Sequence, residues 1–74
     1  MVYMAIIKEI KIKEDFITLG QFLKVIDLIS SGGEAKIFLI NNKITVNSEL
    51  ENRRGKKLYI NDEIEINGDL YKIC

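Results

Sequence analysis

The residues best equipped for chemistry are five consecutive ones, Arg53-Arg54-Gly55-Lys56-Lys57, four of them cationic. An Arg fork can grip a phosphate with two parallel N–H donors, and Lys supplies a compact point charge. The chain carries 11 basic and 11 acidic residues and no net charge. Any attraction for anions must therefore come from a local field rather than from total charge. Lys24 joins this set from the outward side of a first expected helix, and Lys36 from one turn inside a second. Between them, Gly32 and Gly33 permit close approach of a backbone or an anion to the free amides of a helix start. Lys24 alone reads better as a solvated surface lysine, and Arg53–Lys57 alone as a turn kept soluble by charge. Only in company do they point to an anion.

Other chemistries are poorly provided for. The chain has no His, and its one thiol is the last residue, Cys74, so the commonest general base and a well-supported nucleophile are both missing. Carboxylates from Glu9 to Asp69 are scattered over turns and strand faces, where solvation is the expectation. A binding module ranks well ahead of an enzyme. Neither a disulfide framework nor a Cys/His metal site is available, and no cofactor or small-molecule substrate is implied. The 74 residues amount to a single domain, 1–74, burying only about 60% of its unfolded surface. Met1 to Ile7 runs straight into Lys8 and Glu9 without a secretory pattern, and no run approaches the ~18 apolar residues of a membrane span. The unpaired Cys74 suits a reducing compartment. A cytoplasmic protein with no membrane partner is expected.

Local patterns indicate what must position the cationic face. Ile10 and Ile12 alternate with Glu9, Lys11 and Lys13, so Ile6 to Lys13 reads as a half-buried strand, broken by Glu14-Asp15. Thr18 and Gln21 have capping-box spacing and start helix one. Leu19, Phe22, Leu23 and Ile26 form its core stripe, leaving Gly20, Gln21, Lys24, Asp27 and Leu28 outward. Ser31 and Glu34 repeat the capping-box spacing and open helix two, which is expected to run to about Asn41. Ala35, Phe38 and Leu39 define one face of that helix. Ile37 and Ile40 fall opposite, either covered or forming an apolar contact patch. Asn41-Asn42 suits the left-handed conformation that ends a helix. Ile44-Thr45-Val46 then reads as a strand, Asn47-Ser48 as a turn, and Leu58-Tyr59-Ile60 as the strand closing the basic loop. After a turn at Asn61-Asp62, Glu63 to Asn67 alternates with Ile64 and Ile66 inward, and Asn67-Gly68 is a hairpin signal into Asp69–Ile73. The expected fold is α+β: two helices packed on a small, mainly antiparallel sheet, with the first strand beside the C-terminal one.

With these stretches assembled, Ile17 to Ile66 resembles the RNA-binding domain family named for small-subunit ribosomal protein S4, and within it the small stand-alone YaaA-type proteins. The likeness is carried by Thr18-Leu19-Gly20-Gln21-Phe22-Leu23-Lys24, Ser31-Gly32-Gly33-Glu34-Ala35-Lys36, Ile44-Thr45-Val46-Asn47, Glu51 to Leu58 and Asn61 to Ile66. It implies a helix-turn-helix and an αL-type RNA-binding motif, with the helices and the basic loop presenting one face to structured ribosomal or transfer RNA. It also implies a freestanding binder associated with ribosomal particles, because this length has no room for an attached catalytic domain. Family members often carry Arg where this chain has Thr18 and Gly20, and Gly where it has Asn42, Ser48 and Asn61. The RNA-binding residues implied are Gln21, Lys24, Gly32, Gly33, Lys36, Asn52, Arg53, Arg54, Lys56 and Lys57, with the two arginines taking the larger share.

Two other readings compete. A pI near 6.2 is low for a nonspecific nucleic-acid binder and favours a protein-interaction module docking through Val25, Leu28, Ile37 and Ile40. The strand signals also loosely resemble β-grasp sulfur carriers, but those end in a reactive Gly-Gly, and this chain ends Leu70-Tyr71-Lys72-Ile73-Cys74.

Overall fold

Seven short strands and two helices follow one another through residues 7–74, the residues that the computed structural model describes. They are β1 (Ile7–Ile10), β2 (Phe16–Thr18), α1 (Leu19–Val25), α2 (Gly32–Asn41), β3 (Ile44–Val46), β4 (Glu49–Leu50), β5 (Lys57–Tyr59), β6 (Glu63–Ile66) and β7 (Asp69–Ile73). Five form a sheet in the order β1-β7-β6-β3-β4, and β2 pairs with β5 in a separate two-stranded ribbon. Every pairing is antiparallel except β1 with β7, which is parallel with Ile7 opposite Leu70 and Ile10 opposite Ile73. The expected α+β class and mainly antiparallel sheet are found. The strands β2 and β4 are additional, and the ribbon stands apart from the single sheet expected.

The first strand ends at Ile10 rather than Lys13, although Ile10 and Ile12 both pack on the core. Past its end, the Cys74 amide donates to the Ile10 carbonyl (2.8 Å) and the Ile12 amide to the Cys74 carbonyl (3.1 Å). Ile6, and all of the Met1 to Ile7 segment read for a secretory signal except Ile7, lie outside the described residues.

The N-terminus of α1 follows its local code. The Gln21 amide donates to Thr18 Oγ1 (3.3 Å) and the Thr18 amide to Gln21 Oε1 (2.9 Å), closing a full capping box that satisfies two amides otherwise left without partners. Leu19, Phe22 and Leu23 are fully buried. The helix stops at Val25, earlier than the periodicity predicts, in a Schellman end: the Leu28 amide donates to the Leu23 carbonyl (3.0 Å) and the Asp27 amide to that of Lys24 (3.0 Å). Asp27 therefore leaves the helix and takes the left-handed φ of 66°.

The second capping box does not form. The Ser31 hydroxyl makes no cap hydrogen bond, and the Glu34 carboxylate instead accepts from the Ser30 amide at 3.3 Å. At the other end Asn42 is extended, with φ −132°, not left-handed. Its side chain ends α2 by donating to the Phe38 carbonyl (3.0 Å), while its amide oxygen accepts from Asn67 (2.9 Å). Ala35 and Leu39 are buried, whereas Ile37 and Ile40 are 62% and 74% exposed, which resolves that pair as surface residues.

Asn47-Ser48 (φ 52° and 72°) and Asn67-Gly68 (φ 50° and 92°) make two-residue hairpin turns of the mirror-image kind that suit strand twist. The core lies between the helices and one face of the larger sheet, where Phe22 meets Tyr71 edge-on at 5.5 Å and Leu58, Ile64, Ile66 and Ile73 are essentially inaccessible. Polar groups join the two sheets. Asp62 accepts from the Tyr59 amide (2.8 Å) and from Asn47 Nδ2 (3.0 Å), while Asn47 Oδ1 accepts from the Glu63 amide (3.0 Å).

Two outcomes follow. Asp62→Ala leaves two donors unpaired and should lower unfolding free energy by about 1–3 kcal/mol in a urea titration. Asp27→Gly removes the left-handed strain and should raise it by about 0.5–1 kcal/mol, the relief exceeding the added unfolded-state entropy.

Candidate nucleic-acid interface

The basic segment is shaped by backbone bonds before its side chains matter. Arg53 to Lys56 forms a tight turn closed by the Lys56 amide on the Arg53 carbonyl (3.1 Å). That turn docks on the start of α1: the Gly20 amide donates to the Arg54 carbonyl at 2.9 Å and the Leu19 amide to the Lys56 carbonyl at 2.8 Å. Position 20 has no room to spare. A Cβ there would stand 3.4 Å from the Arg54 carbonyl oxygen, 3.5 Å from Arg54 Cβ and 3.7 Å from Ala35 Cβ. Gly20 is thus buried where α1, α2 and the loop converge, not outward as the helix wheel predicts. Gly32 and Gly33 meet no comparable crowding.

Two shallow clefts flank this junction and share Gly55. One, of about 300 Å³, is lined by Gln21, Lys24, Gly32 and Arg54 together with Thr18, Gly20, Ala35 and Gly55. The other, of about 470 Å³, is lined by Arg53, Gly55, Lys56, Lys57 and Tyr59. Seven of the ten residues expected at the site therefore line one or the other cleft. Lys36 lines neither; it lies one helical turn beyond Gly32, on the same face of α2. Gly33 is exposed beside Gly32. Asn52 is turned elsewhere, lining a third cleft with Leu39, Asn42, Lys43, Ile44, Leu50 and Glu51. Sequence reasoning took Tyr59 only as a strand residue and so missed an aromatic wall among the cations.

The cations are not equally free. Arg53 Nε and a terminal guanidinium nitrogen donate to the two carboxylate oxygens of Glu51 at 2.9 and 3.2 Å, and the Arg53 amide donates to the same carboxylate at 3.0 Å. The Glu51 side chain is only 10% exposed and that of Arg53 71%. The side-chain hydrogen bond from Arg53 holds the Glu51 carboxyl below its ordinary 4.5, against an opposing contribution from burial. Glu51 in turn raises Arg53. An arriving phosphate must compete with Glu51 for Arg53, whereas among the described residues Arg54 makes no ion pair. Glu34, in the first turn of α2, likewise puts negative charge near Gly32 and Gly33.

Of the residues of the alternative apolar surface, Val25, Leu28, Ile37 and Ile40 are all exposed, and Leu28 and Ile37 line one cleft together. Among the described residues no helix is long and apolar enough to cross a membrane.

Comparison with known proteins adds two findings. The family model described as the S4 domain matches residues 10–74, extending beyond the Ile17 to Ile66 stretch on which the resemblance was drawn. A protein of Bacillus subtilis (strain 168) named probable ribosome maturation protein RlbA is 56% identical over 59 residues, covering 80% of this chain and 83% of the relative.

The Glu51–Arg53 pair makes stability pH-dependent. Because the folded pKa of Glu51 is depressed, its contribution is fully present above the unfolded value near 4.5 and disappears as pH falls through the folded value. Thermal melts should find wild type more stable than Glu51→Gln by a constant margin at neutral pH, closing below about pH 4.5.

Proposed function

The chain belongs to the S4 domain family, and on that premise we propose that it binds structured RNA through the two clefts at the α1–loop junction and acts in ribosome maturation. In this reading α1 and α2 are the helix-turn-helix of an αL-type motif, the whole chain works as one domain, and it binds without chemistry of its own. The observation carrying the reading is the docked turn, which gathers Lys24 and Arg54 on one side of Gly55 and Arg53, Lys56 and Lys57 on the other. Cations so spaced suit a phosphate backbone, since A-form RNA is held through phosphates and 2′-hydroxyls rather than read in its deep groove. Gln21 supplies a hydrogen-bonding amide in the first cleft, the Gly32 backbone borders it, and Gly33 and Lys36 contribute from the α2 side, while Asn52, on a separate cleft, would meet only RNA that extends beyond the two. Arg54 takes the largest share, because Arg53 begins paired with Glu51. Ribosomal RNA is the favoured target, supported by the named role of the Bacillus subtilis relative. Transfer RNA is the second.

Fluorescence anisotropy with ribosomal RNA fragments across a salt series tests this. About four neutralised phosphates should give a log-log slope of roughly −3 to −4. Arg53→Ala/Arg54→Ala should flatten the slope and weaken binding to all RNAs, while Lys8→Ala/Lys11→Ala on and beside β1 should change little. A slope near zero, or binding retained by the double arginine variant, overturns the reading and moves attention to the apolar face of α2.

A further inference from the structure

We propose that Tyr59 is a stacking platform for an unpaired base, so that the RNA class taken by this interface is a duplex interrupted by a single-stranded nucleotide. The inference rests on the RNA reading above and specifies its ligand. Among the described residues Tyr59 is the one aromatic in the set of exposed large apolar side chains, at 48% exposure. Its ring is braced rather than loose: Tyr59 lies directly opposite Phe16 across the β2–β5 ribbon, with ring centroids 5.8 Å apart and planes tilted by 50°. A braced aromatic loses little rotamer freedom when a second ring stacks on it.

The surroundings select the ligand. Tyr59 shares its cleft with Arg53, Gly55, Lys56 and Lys57, and Lys57 Nζ is held 4.9 Å from the centroid of the Phe16 ring. A tyrosine anchoring a protein partner sits in a dehydrated patch from which charge is depleted. This one is bordered by cations and a glycine. An aromatic face adjoining phosphate-binding groups matches a splayed nucleotide, whose base lies on the ring while its backbone engages the charges. A continuous duplex satisfies the same cations but keeps its base faces in its own stack, and so gains nothing from Tyr59.

The test uses the full chain and two RNA duplexes of identical sequence, one fully paired and one carrying a single bulged 2-aminopurine. Wild type should bind the bulged duplex about tenfold more tightly, a conservative loss for one stacked base, and should quench the 2-aminopurine fluorescence. Tyr59→Leu should lose both preference and quenching while keeping its affinity for the paired duplex and its salt slope, because no phosphate contact is removed. Tyr59→Phe should retain both. Equal wild-type affinity for the two duplexes, or preference and quenching retained by Tyr59→Leu, overturns the stacking proposal and leaves the RNA reading standing. Failure of wild type to bind either duplex at low salt removes the RNA reading and the proposal with it. If Tyr59→Leu does not fold, a 4-thiouridine at the bulge decides with wild type: a photocrosslink mapped to Tyr59 supports the stacking, and one mapped elsewhere overturns it.

Discussion

The placement of the basic turn against α1 depends on two backbone hydrogen bonds, from Gly20 to the Arg54 carbonyl and from Leu19 to the Lys56 carbonyl. The first amides of a helix have no partner within it and must find one elsewhere. Here α1 takes two acceptors from the Arg53–Lys56 turn and a third from Thr18. The positive end of the helix is therefore answered by carbonyls, and its anion-attracting capacity is spent inside the molecule. What the helix gives in return is position. A turn that would otherwise wander is fixed against α1, and its side chains are distributed to either side of Gly55.

That junction is held from behind by the polar link at Asn47 and Asp62. The ribbon carrying Tyr59 and Lys57 is located against the larger sheet by the packing of Ile17 and Leu58 and by backbone bonds from Asn61 to the Ile73 carbonyl (2.8 Å) and from Ile73 to the Asp62 carbonyl (3.0 Å). Asp62 fixes it through the Tyr59 amide, and Asn47 ties the same aspartate to the turn after β3. The loop is thus anchored at its far end to the strand order of the whole sheet. Glu51 sets the near end, holding Arg53 by side chain and backbone together. A face with this many cations on a chain of zero net charge is partly self-neutralised, which limits indiscriminate attraction to polyanions.

Features set by a few neighbouring residues were legible in the sequence. Thr18 and Gln21, and Asn67 and Gly68, carry their geometry in their own side chains and backbone preferences. The cationic run was also legible, whereas β1 beside β7 was a guess that the folded chain bears out, and its parallel direction was not foreseen. Features requiring distant partners were not. β2 and β4 span three and two residues, too few for any period, and exist because β5 and β3 lie beside them. Ser31 and Glu34 have the right spacing, yet the carboxylate chose the amide of Ser30, a difference of one residue that spacing cannot resolve. Ser48 and Asn61 adopt the left-handed conformation and Asn42 does not, because Asn42 is drawn toward Phe38 and Asn67. Gly20 looked solvent-facing until the loop arrived, and Tyr59 acquired its meaning from neighbours that only the folded chain assembles.

The parallel pairing of β1 with β7 has a consequence in time. Among the described strands the earliest, β1, has its hydrogen-bonding partner in the latest, β7, a contact of large sequence separation whose loop-closure entropy is met only once the intervening chain has organised. During translation Ile7–Ile10 must therefore remain unpaired while the helices, the basic turn and the β3–β6 pairing form. The larger sheet gains its final edge only when Asp69–Ile73 has emerged.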